Sequence, residues 1–415
     1  MTTAYPALNL PPLPGGNHYR FHSIVKPVGA QCNIACSYCF YLHKEQLLKQ
    51  PPTPRMSDTM LELHIRSYIE AQSGDEVVFT WQGGEPTLAG LEFFRRVVLL
   101  QQRYARPGLR ILNDLQTNGL LLDEEWAVFL KQQQFLVGLS IDGPAALHDL
   151  YRRSRNDKPT HQAVMKAVSL LRRHGVEFNA LCVVNCANAR KPLDVYRFLR
   201  DEVRPRMIQF LPGVEPCNFQ QCAPGKAVIP TITGTAQPGS LDSVVTEWSV
   251  VAEDWGYFLT SIWDEWFKRD YGRVHVDQFE NVISQMMGLG AQSCVSNEFC
   301  GKSLAIEHNG DIYSCDHFVY PEYRLGNIQN AHQGNLAFSK QQQKFGMDKR
   351  DKLPGYCRSC NYLRLCWGEC PRNRFISTPD GEAGLNYLCP GLKKFYAKAI
   401  SAQAELRQRL TGAWS

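Results

Sequence analysis

Six runs of apolar and β-branched residues punctuate the first half of the chain: HSIVKPV (22–28), DEVVFTW (75–81), LRILNDLQ (109–116), FLVGLSI (135–141), VEFNALCVV (176–184) and MIQFLPGV (207–214). Each has the length and composition of a buried strand. The segments between them are amphipathic at helical spacing. In THQAVMKAVSLLRRHG, Val164, Ala167, Val168 and Leu171 fall on one helical face, Thr160 is placed to cap the start and Gly175 to end it. Six strand–helix units in succession predict a parallel sheet with right-handed crossovers, either an open doubly wound sheet or a barrel. In both, chemistry gathers at the carboxyl ends of the strands.

Beyond residue 215 the pattern changes. Residues 216–245 are rich in Pro, Gly and Thr without sustained period, and read as a loop insertion. Helices are expected at about 254–270 and 277–288, and LKKFYAKAISAQAELRQRL reads as a final helix. Between them, residues 294–390 combine short turns with closely spaced cysteines and little periodic core, which predicts a small region stapled by metal. No internal repeat is evident beyond the strand–helix alternation. The expected division is a Pro-rich extension (1–20), the strand–helix domain (21–250), connecting helices (251–293), the cysteine-rich domain (294–390) and a terminal helix (391–415).

At 415 residues the chain has room for two or three domains and a buried site. Its 45 Lys+Arg against 40 Asp+Glu leave a net charge of +5 spread along the sequence, which argues against nucleic acid as partner. The opening MTTAYPALNLPPLPGGNHYR lacks the basic start and apolar core of a secretory signal, and no segment approaches the roughly 18 apolar residues of a membrane span. A soluble, cytoplasmic protein without membrane contact is expected. In that compartment fifteen cysteines point to metal or redox chemistry and not to a disulfide framework.

The first cluster, QCNIACSYCFY, places Cys32, Cys36 and Cys39 after the first strand. His43, four residues on, would complete a tetrahedral zinc site. The other option is an iron–sulfur cluster held by three thiolates, with one iron left open to bind and activate something. CNIACSYC resembles the CxxxCxxC signature of the radical S-adenosylmethionine (SAM) enzymes, in which SAM chelates that iron. The resemblance implies reductive cleavage of SAM to methionine and a 5′-deoxyadenosyl radical that abstracts hydrogen from substrate.

Segments at later strand ends extend the likeness. In TWQGGEPTLAG, Gln82, Gly83 and Gly84 match the segment that holds the amino-acid end of SAM, with the glycines allowing close backbone approach to a bound group. LQTNG ends the third strand and LSIDGP the fourth, where Ser140 and Asp142 are polar groups at a strand terminus. Arg152 carries a fixed charge that suits the SAM carboxylate, although taken singly it reads as a solvated surface arginine. The resemblance implies that Tyr38, Gln82, Gly83, Gly84, Ser140, Arg152 and Val214 line the SAM site.

Eight further cysteines lie at 294, 300, 315, 357, 360, 366, 370 and 389. Two structural zinc sites are one reading. The CxxCx5CxxxC run with a later cysteine instead resembles the SPASM extension of radical SAM enzymes, with two auxiliary four-iron clusters. That likeness implies one cluster on Cys294, Cys300, Cys315 and Cys370, a second on Cys357, Cys360, Cys366 and Cys389, and three 4Fe–4S clusters in all. It implies a partial (β/α)6 radical SAM barrel followed by a SPASM domain and a C-terminal helix. Cys182, Cys186, Cys217 and Cys222 are assigned no chemistry.

Within this class, CNIACSYCFYLHKE, FTWQGGEPTLAGLEFFRR, LQTNGLLLDEEWAVFLK, NGDIYSCDHFVYPEYRLGNI and LNYLCPG are similar to blocks of the anaerobic sulfatase-maturating enzymes. These oxidise a cysteine or serine of an unfolded sulfatase, in a Cys/Ser-x-Pro-x-Arg motif, to Cα-formylglycine. The family likeness implies Asp316, directly after Cys315, as the base that removes the thiol or hydroxyl proton. Alone, it would read as a surface carboxylate in a turn. An electron donor such as flavodoxin or ferredoxin is implied. The competing readings are a SPASM-type maturase that forms thioether or carbon–carbon crosslinks in a ribosomal peptide, and a non-catalytic zinc or electron-carrier protein.

Overall fold

Val25, Phe79, Leu115, Val137, Ala180 and Phe210, one from each of the six apolar runs, are wholly enclosed. A strand whose inner face is buried and whose other face is covered by crossover helices has to carry such runs. In the computed structural model, which describes residues 20–226 and 237–412, the runs form β1 (His22–Lys26), β2 (Glu76–Trp81), β3 (Arg110–Thr117), β4 (Leu136–Ser140), β5 (Phe178–Val184) and β6 (Met207–Pro212). They pair in parallel and in chain order. Sequential order is that of a singly wound barrel and excludes the reversal of strand order that defines a doubly wound sheet.

Both edges are extended by short strands from segments expected outside the strand–helix region. On one side β7 (His275–Val276) pairs in parallel with β6. On the other, β8 (Ser303–Glu307) pairs in parallel with β1 along its whole length, and β9 (Asp311–Tyr313) and β10 (Arg324–Asn327) continue antiparallel. The cysteine-rich region is therefore hydrogen-bonded into the same ten-stranded sheet as the barrel.

The expected helices form at Ala252–Arg269 and Asp277–Met286. The final helix runs over Cys389–Ser401 and is interrupted at Ala402, whose N–H turns back to Ala399 O and Ile400 O before a second helix at Gln403–Gly412. Trp263 and Phe395 pack ring to ring at 5.9 Å where Ala252–Arg269 meets Cys389–Ser401. The insertion is irregular, with its base closed by a bridge between Pro216 and Val245. Residues 227–236 of it, and 1–19 of the N-terminal extension, lie outside the described residues. No helix among the described residues is long and apolar enough to cross a membrane.

One local expectation is corrected. Helix His161–Arg173 does start after Thr160, but the Thr160 side chain does not cap it. Its hydroxyl donates to Arg152 O at 2.6 Å and lies 3.0 Å from His148 Nε2. The cap is instead Asp149, whose Oδ1 accepts from the N–H groups of Thr160 (2.8 Å) and His161 (2.9 Å). Thr160 is diverted because the strand end needs it: His148 Nδ1 accepts from Asp142 N–H, so Nε2 carries the proton and points at Thr160. Asp149→Ala should destabilise the chain by about 1 kcal/mol in urea unfolding, while Thr160→Val should act through His148 and leave the helix start in place by hydrogen exchange.

Candidate functional site

The cysteine loop has no helix or strand of its own, and its backbone is held by its neighbours. Ala35 N–H donates to Arg153 O (2.8 Å) and Ser37 N–H to Tyr151 O (3.1 Å), while Arg155 Nε donates to Cys32 O (2.7 Å). From the other side Gly84 N–H donates to Gly29 O (2.9 Å) and Glu85 N–H to Gln31 O (2.8 Å). A Cβ on Gly84 would lie 2.0 Å from Gln31 O. The close approach expected of this glycine toward a bound group is thus made, in the first place, to the cysteine loop itself.

Around this loop the strand ends enclose a cavity of about 260 Å³. Cys32, Cys36 and Cys39 line it, with Tyr38, Gln82, Gly83, Gly84, Ser140, Arg152 and Val214, so the structure gathers all ten residues at one place. Trp248 and Phe219, the latter from the insertion, pack with Tyr38 into an apolar cover. Across the cavity stand His317, Cys370 and Arg372 from the cysteine-rich region.

Arg152 is buried, which corrects the surface reading. Its Nε donates to Asp142 Oδ2 at 3.1 Å, its Nη1 lies 3.9 Å from Cys36 Sγ, and its guanidinium stands 5.6 Å from the Tyr38 ring centroid. The Tyr38 hydroxyl donates to the same Asp142 oxygen, and Val183 N–H donates to the other at 3.0 Å. Asp142, named from sequence only as a polar strand end, is the anchor of this group. Glu85 does the corresponding work beside Cys32: its carboxylate accepts from Asn118 N–H (2.7 Å), the Thr117 hydroxyl (2.7 Å) and the Thr87 hydroxyl (2.6 Å), and Asn118 Nδ2 reaches Asn33 Oδ1 at 2.7 Å. Burial raises the Glu85 carboxyl above its ordinary range against these hydrogen bonds.

Asp316 is also buried, which corrects the turn-surface reading. It forms an ion pair with Lys26, a residue of β1 enclosed on every side, and Gln82 Nε2 approaches its second oxygen at 3.5 Å. Its neighbours Gln82 and His317 line the cavity, whereas the Asp316 carboxylate lies behind them, turned onto Lys26. Burial pushes this carboxyl up, but the neighbouring cations, Lys26 first and Arg372 after it, outweigh it and hold it below the usual carboxylate range. Burial and the Arg372 charge lower His317 to about 3, so its imidazole is neutral at neutral pH. Lys26, Glu85 and Arg372 were not legible as site residues; a lysine inside an apolar strand run was the one available signal.

The eight cysteines between 294 and 389 fall into two groups of four. Cys315 lies within electrostatic reach of Cys370 and Cys294, and Cys300 within reach of Cys294. Cys357, Cys360, Cys366 and Cys389 surround a small hollow with Tyr356, Tyr396 and Leu392. Burial pushes Cys32, Cys36, Cys366 and Cys370 up to about 12, so these thiols keep their protons until a metal displaces them. Among the described residues no three His, Cys, Asp or Glu side chains converge on a point that one metal ion could occupy. His43 turns edge-on to Phe219 at 5.1 Å. In a multi-iron cluster each thiolate takes a different iron, so grouped thiols of this kind can hold one. Cys182 is enclosed on β5, and Cys186 Sγ lies 3.4 Å from the Tyr151 hydroxyl.

Comparison with known proteins agrees with this geometry. Residues 27–199 match the radical SAM superfamily and residues 294–361 the SPASM iron–sulfur cluster-binding domain. The chain is 44% identical, over 90% of its length and 88% of the relative's, to the serine-type anaerobic sulfatase-maturating enzyme of Bacteroides thetaiotaomicron. It is 33% identical, over 91% and 95%, to the cysteine-type enzyme of Clostridium perfringens. A solved chain described as native anSMEcpe with bound AdoMet and Cp18Cys peptide superposes with a TM-score of 0.80 at 31% identity, covering 94% of this chain and 99% of that one. Iron–sulfur clusters and SAM are thereby implied as cofactors.

Because a side chain at position 84 collides with the cysteine loop, Gly84→Ala should cost about 1–3 kcal/mol of stability and lower the iron held after anaerobic reconstitution. Thermal unfolding and iron analysis measure the two effects.

Proposed function

The chain belongs to the anaerobic sulfatase-maturating enzymes of the radical SAM superfamily, and on that premise we propose how its residues share the oxidation of a sulfatase cysteine or serine to Cα-formylglycine. The observation that carries the reading is the single cavity lined by the Cys32, Cys36 and Cys39 thiols, Arg152 and Ser140 and also by Gln82 and His317, the two residues that flank the Asp316 carboxylate in space and in sequence. Cys32, Cys36 and Cys39 would hold a 4Fe–4S cluster, which together with bound SAM would supply reductive cleavage of SAM and abstraction of a substrate Cβ hydrogen. Every other part is the work of protein side chains.

Tyr38, Gln82, Gly83, Gly84, Ser140, Arg152 and Val214 form the SAM pocket, with Asp142 fixing the Arg152 and Tyr38 heads. The cover of Tyr38, Phe219 and Trp248 excludes water from the reacting carbon, as the chemistry demands. Asp316 accepts the thiol or hydroxyl proton. Lys26 and Gln82 orient its two oxygens, and the low-lying carboxyl stays ionised at neutral pH. Cys294, Cys300, Cys315 and Cys370 would hold one auxiliary cluster and Cys357, Cys360, Cys366 and Cys389 another, three in all, and these two would supply an acceptor for the substrate electron.

The peptide enters along a groove of about 680 Å³ that meets the cavity at Glu215 and Arg372, which form an ion pair at 3.0 Å. Tyr320 and Tyr323 line it and tie the insertion in place, their hydroxyls donating to Phe219 O (2.6 Å) and Pro224 O (2.8 Å). A Cys/Ser-x-Pro-x-Arg segment of an unfolded sulfatase suits it, since proline biases the preceding residue to extended backbone. The enzyme works in the cytoplasm, with flavodoxin or ferredoxin as electron source.

Asp316→Asn should retain SAM cleavage and lose most formylglycine formation, assayed by 5′-deoxyadenosine release and peptide mass spectrometry; full turnover removes Asp316 from the role. Alanine at Cys32, Cys36 and Cys39 together should abolish SAM cleavage and spare the auxiliary iron. Lys26→Met removes the cation that most depresses the Asp316 carboxyl. Its pKa then rises, and the acid limb of the rate–pH profile should move to higher pH. Anaerobic assay with Cys-x-Pro-x-Arg and Ser-x-Pro-x-Arg peptides tests the substrate class: SAM consumed with neither peptide changed would defeat it.

A further inference from the structure

Between Cys366, of one auxiliary set, and Cys370, of the other, the backbone makes three successive left-handed residues: Trp367 (φ 47°), Gly368 (φ 67°) and Glu369 (φ 53°). For the two non-glycine residues this conformation is strained. It is held by Arg374, whose guanidinium donates to Trp367 O (2.5 Å), Gly368 O (2.9 Å), Glu369 O (3.2 Å) and Lys349 O (2.5 Å). All four acceptors are neutral carbonyl oxygens. None of these bonds reaches a carboxylate, so the fixed charge of Arg374 stands partly buried without an ion-pair partner among the described residues. The groups that act on it most are thiols of both sets, Cys370 on one side and Cys366 and Cys357 on the other, with the Glu369 carboxylate, which it does not hydrogen-bond, a smaller influence.

A second cation stands near one set only. Lys349 donates from Nζ to Cys294 O and Val295 O, both at 2.8 Å, and its charge acts on Cys300, Cys370 and Cys294. A cation withdrawn from water whose hydrogen bonds go only to carbonyl oxygens is stabilised by further anions placed close to it. Four thiolates around an iron cluster are such an anion, and each set of cysteines offers one.

Resting on the reading of these cysteines as two auxiliary clusters, we propose that Arg374 is a shared electrostatic control, one guanidinium setting the reduction potentials of both clusters at once, while Lys349 sets that of the Cys294, Cys300, Cys315 and Cys370 cluster alone. Reduction adds negative charge to a cluster, so a fixed cation beside it favours the reduced state and raises the potential. Coupling two sites to one charge keeps their potentials in step when the surroundings change. Arg374 is in this sense a positioning residue for electrons and touches neither substrate nor SAM.

The test is a potentiometric titration followed by electron paramagnetic resonance on the full-length chain carrying alanine at Cys32, Cys36 and Cys39, so that only auxiliary signals remain. Iron and sulfide are counted first: a parent that holds zinc, or no iron, defeats the two-cluster reading itself and is recognised before any potential is read. With both clusters present, Arg374→Gln should shift both potentials downward, Lys349→Met should shift one, and Arg374→Lys, which keeps the charge, should leave both near the parent's. Arg374→Gln with either potential unmoved overturns the proposal, as does Arg374→Lys moving both as far as Arg374→Gln, since the turn and not the charge would then be responsible. If Arg374→Gln cannot retain its iron, the other two variants decide: Lys349→Met shifting both potentials or neither, or Arg374→Lys displacing them, refutes it.

Discussion

The site rests on two backbone hydrogen bonds, from Gly84 N–H to Gly29 O and from Glu85 N–H to Gln31 O. They lock an irregular loop, which carries three thiols and has no ladder of its own, to the end of a neighbouring strand. Everything else follows from that attachment. Glu85, once its backbone is fixed, places its carboxylate where Thr117 and Asn118 converge, and Asn118 in turn reaches the loop at Asn33. The loop's far side is docked on residues 151–155 through the carbonyls of Tyr151 and Arg153, which brings Arg152 beneath Cys36 and Tyr38. An irregular cysteine-bearing segment is held as a wall because one flank bonds to the turn after β2 and the other to the chain leaving the helix that ends at Tyr151.

That dependence also explains what could be read from the sequence. β1 to β6 are legible since a covered parallel strand needs an unbroken apolar run, and the six runs supply it. The edge strands are not: β7 is two residues long, and β8 is defined by a partner nearly three hundred residues away, which no local periodicity can signal. Thr160 shows the same limit in miniature. Its place before a helix was visible, but the competing demand of His148 was not, and the competitor won. In the site, the cysteines, Gln82–Gly84 and Arg152 were recognisable by spacing and resemblance. Lys26 and Arg372 were not, and Asp142 was visible only as a polar strand end, because the pairings that give them their roles span large sequence separations: Lys26 with Asp316, Asp142 with Tyr38, Arg372 with Glu215.

Charge in this interior is arranged by element. Lys26 comes from the barrel and Asp316 from the cysteine-rich region, and Glu215 and Arg372 repeat that division with the signs exchanged. Each pair is buried, where breaking one partner costs more than the pair itself contributes. Their use is alignment: they set how the two halves face each other across the cavity, and so the distance between the thiol wall and the carboxylate.

The pairing of β8 with β1 has a consequence for the gene as well as the fold. Because the cluster-bearing half lends a full strand to the first strand of the barrel, excising it would strip a central β-ladder and expose an apolar edge inviting misassociation. The two halves are thus one inheritable unit, and a shortened descendant of this chain would have to invent a new cover for β1 before it could survive alone.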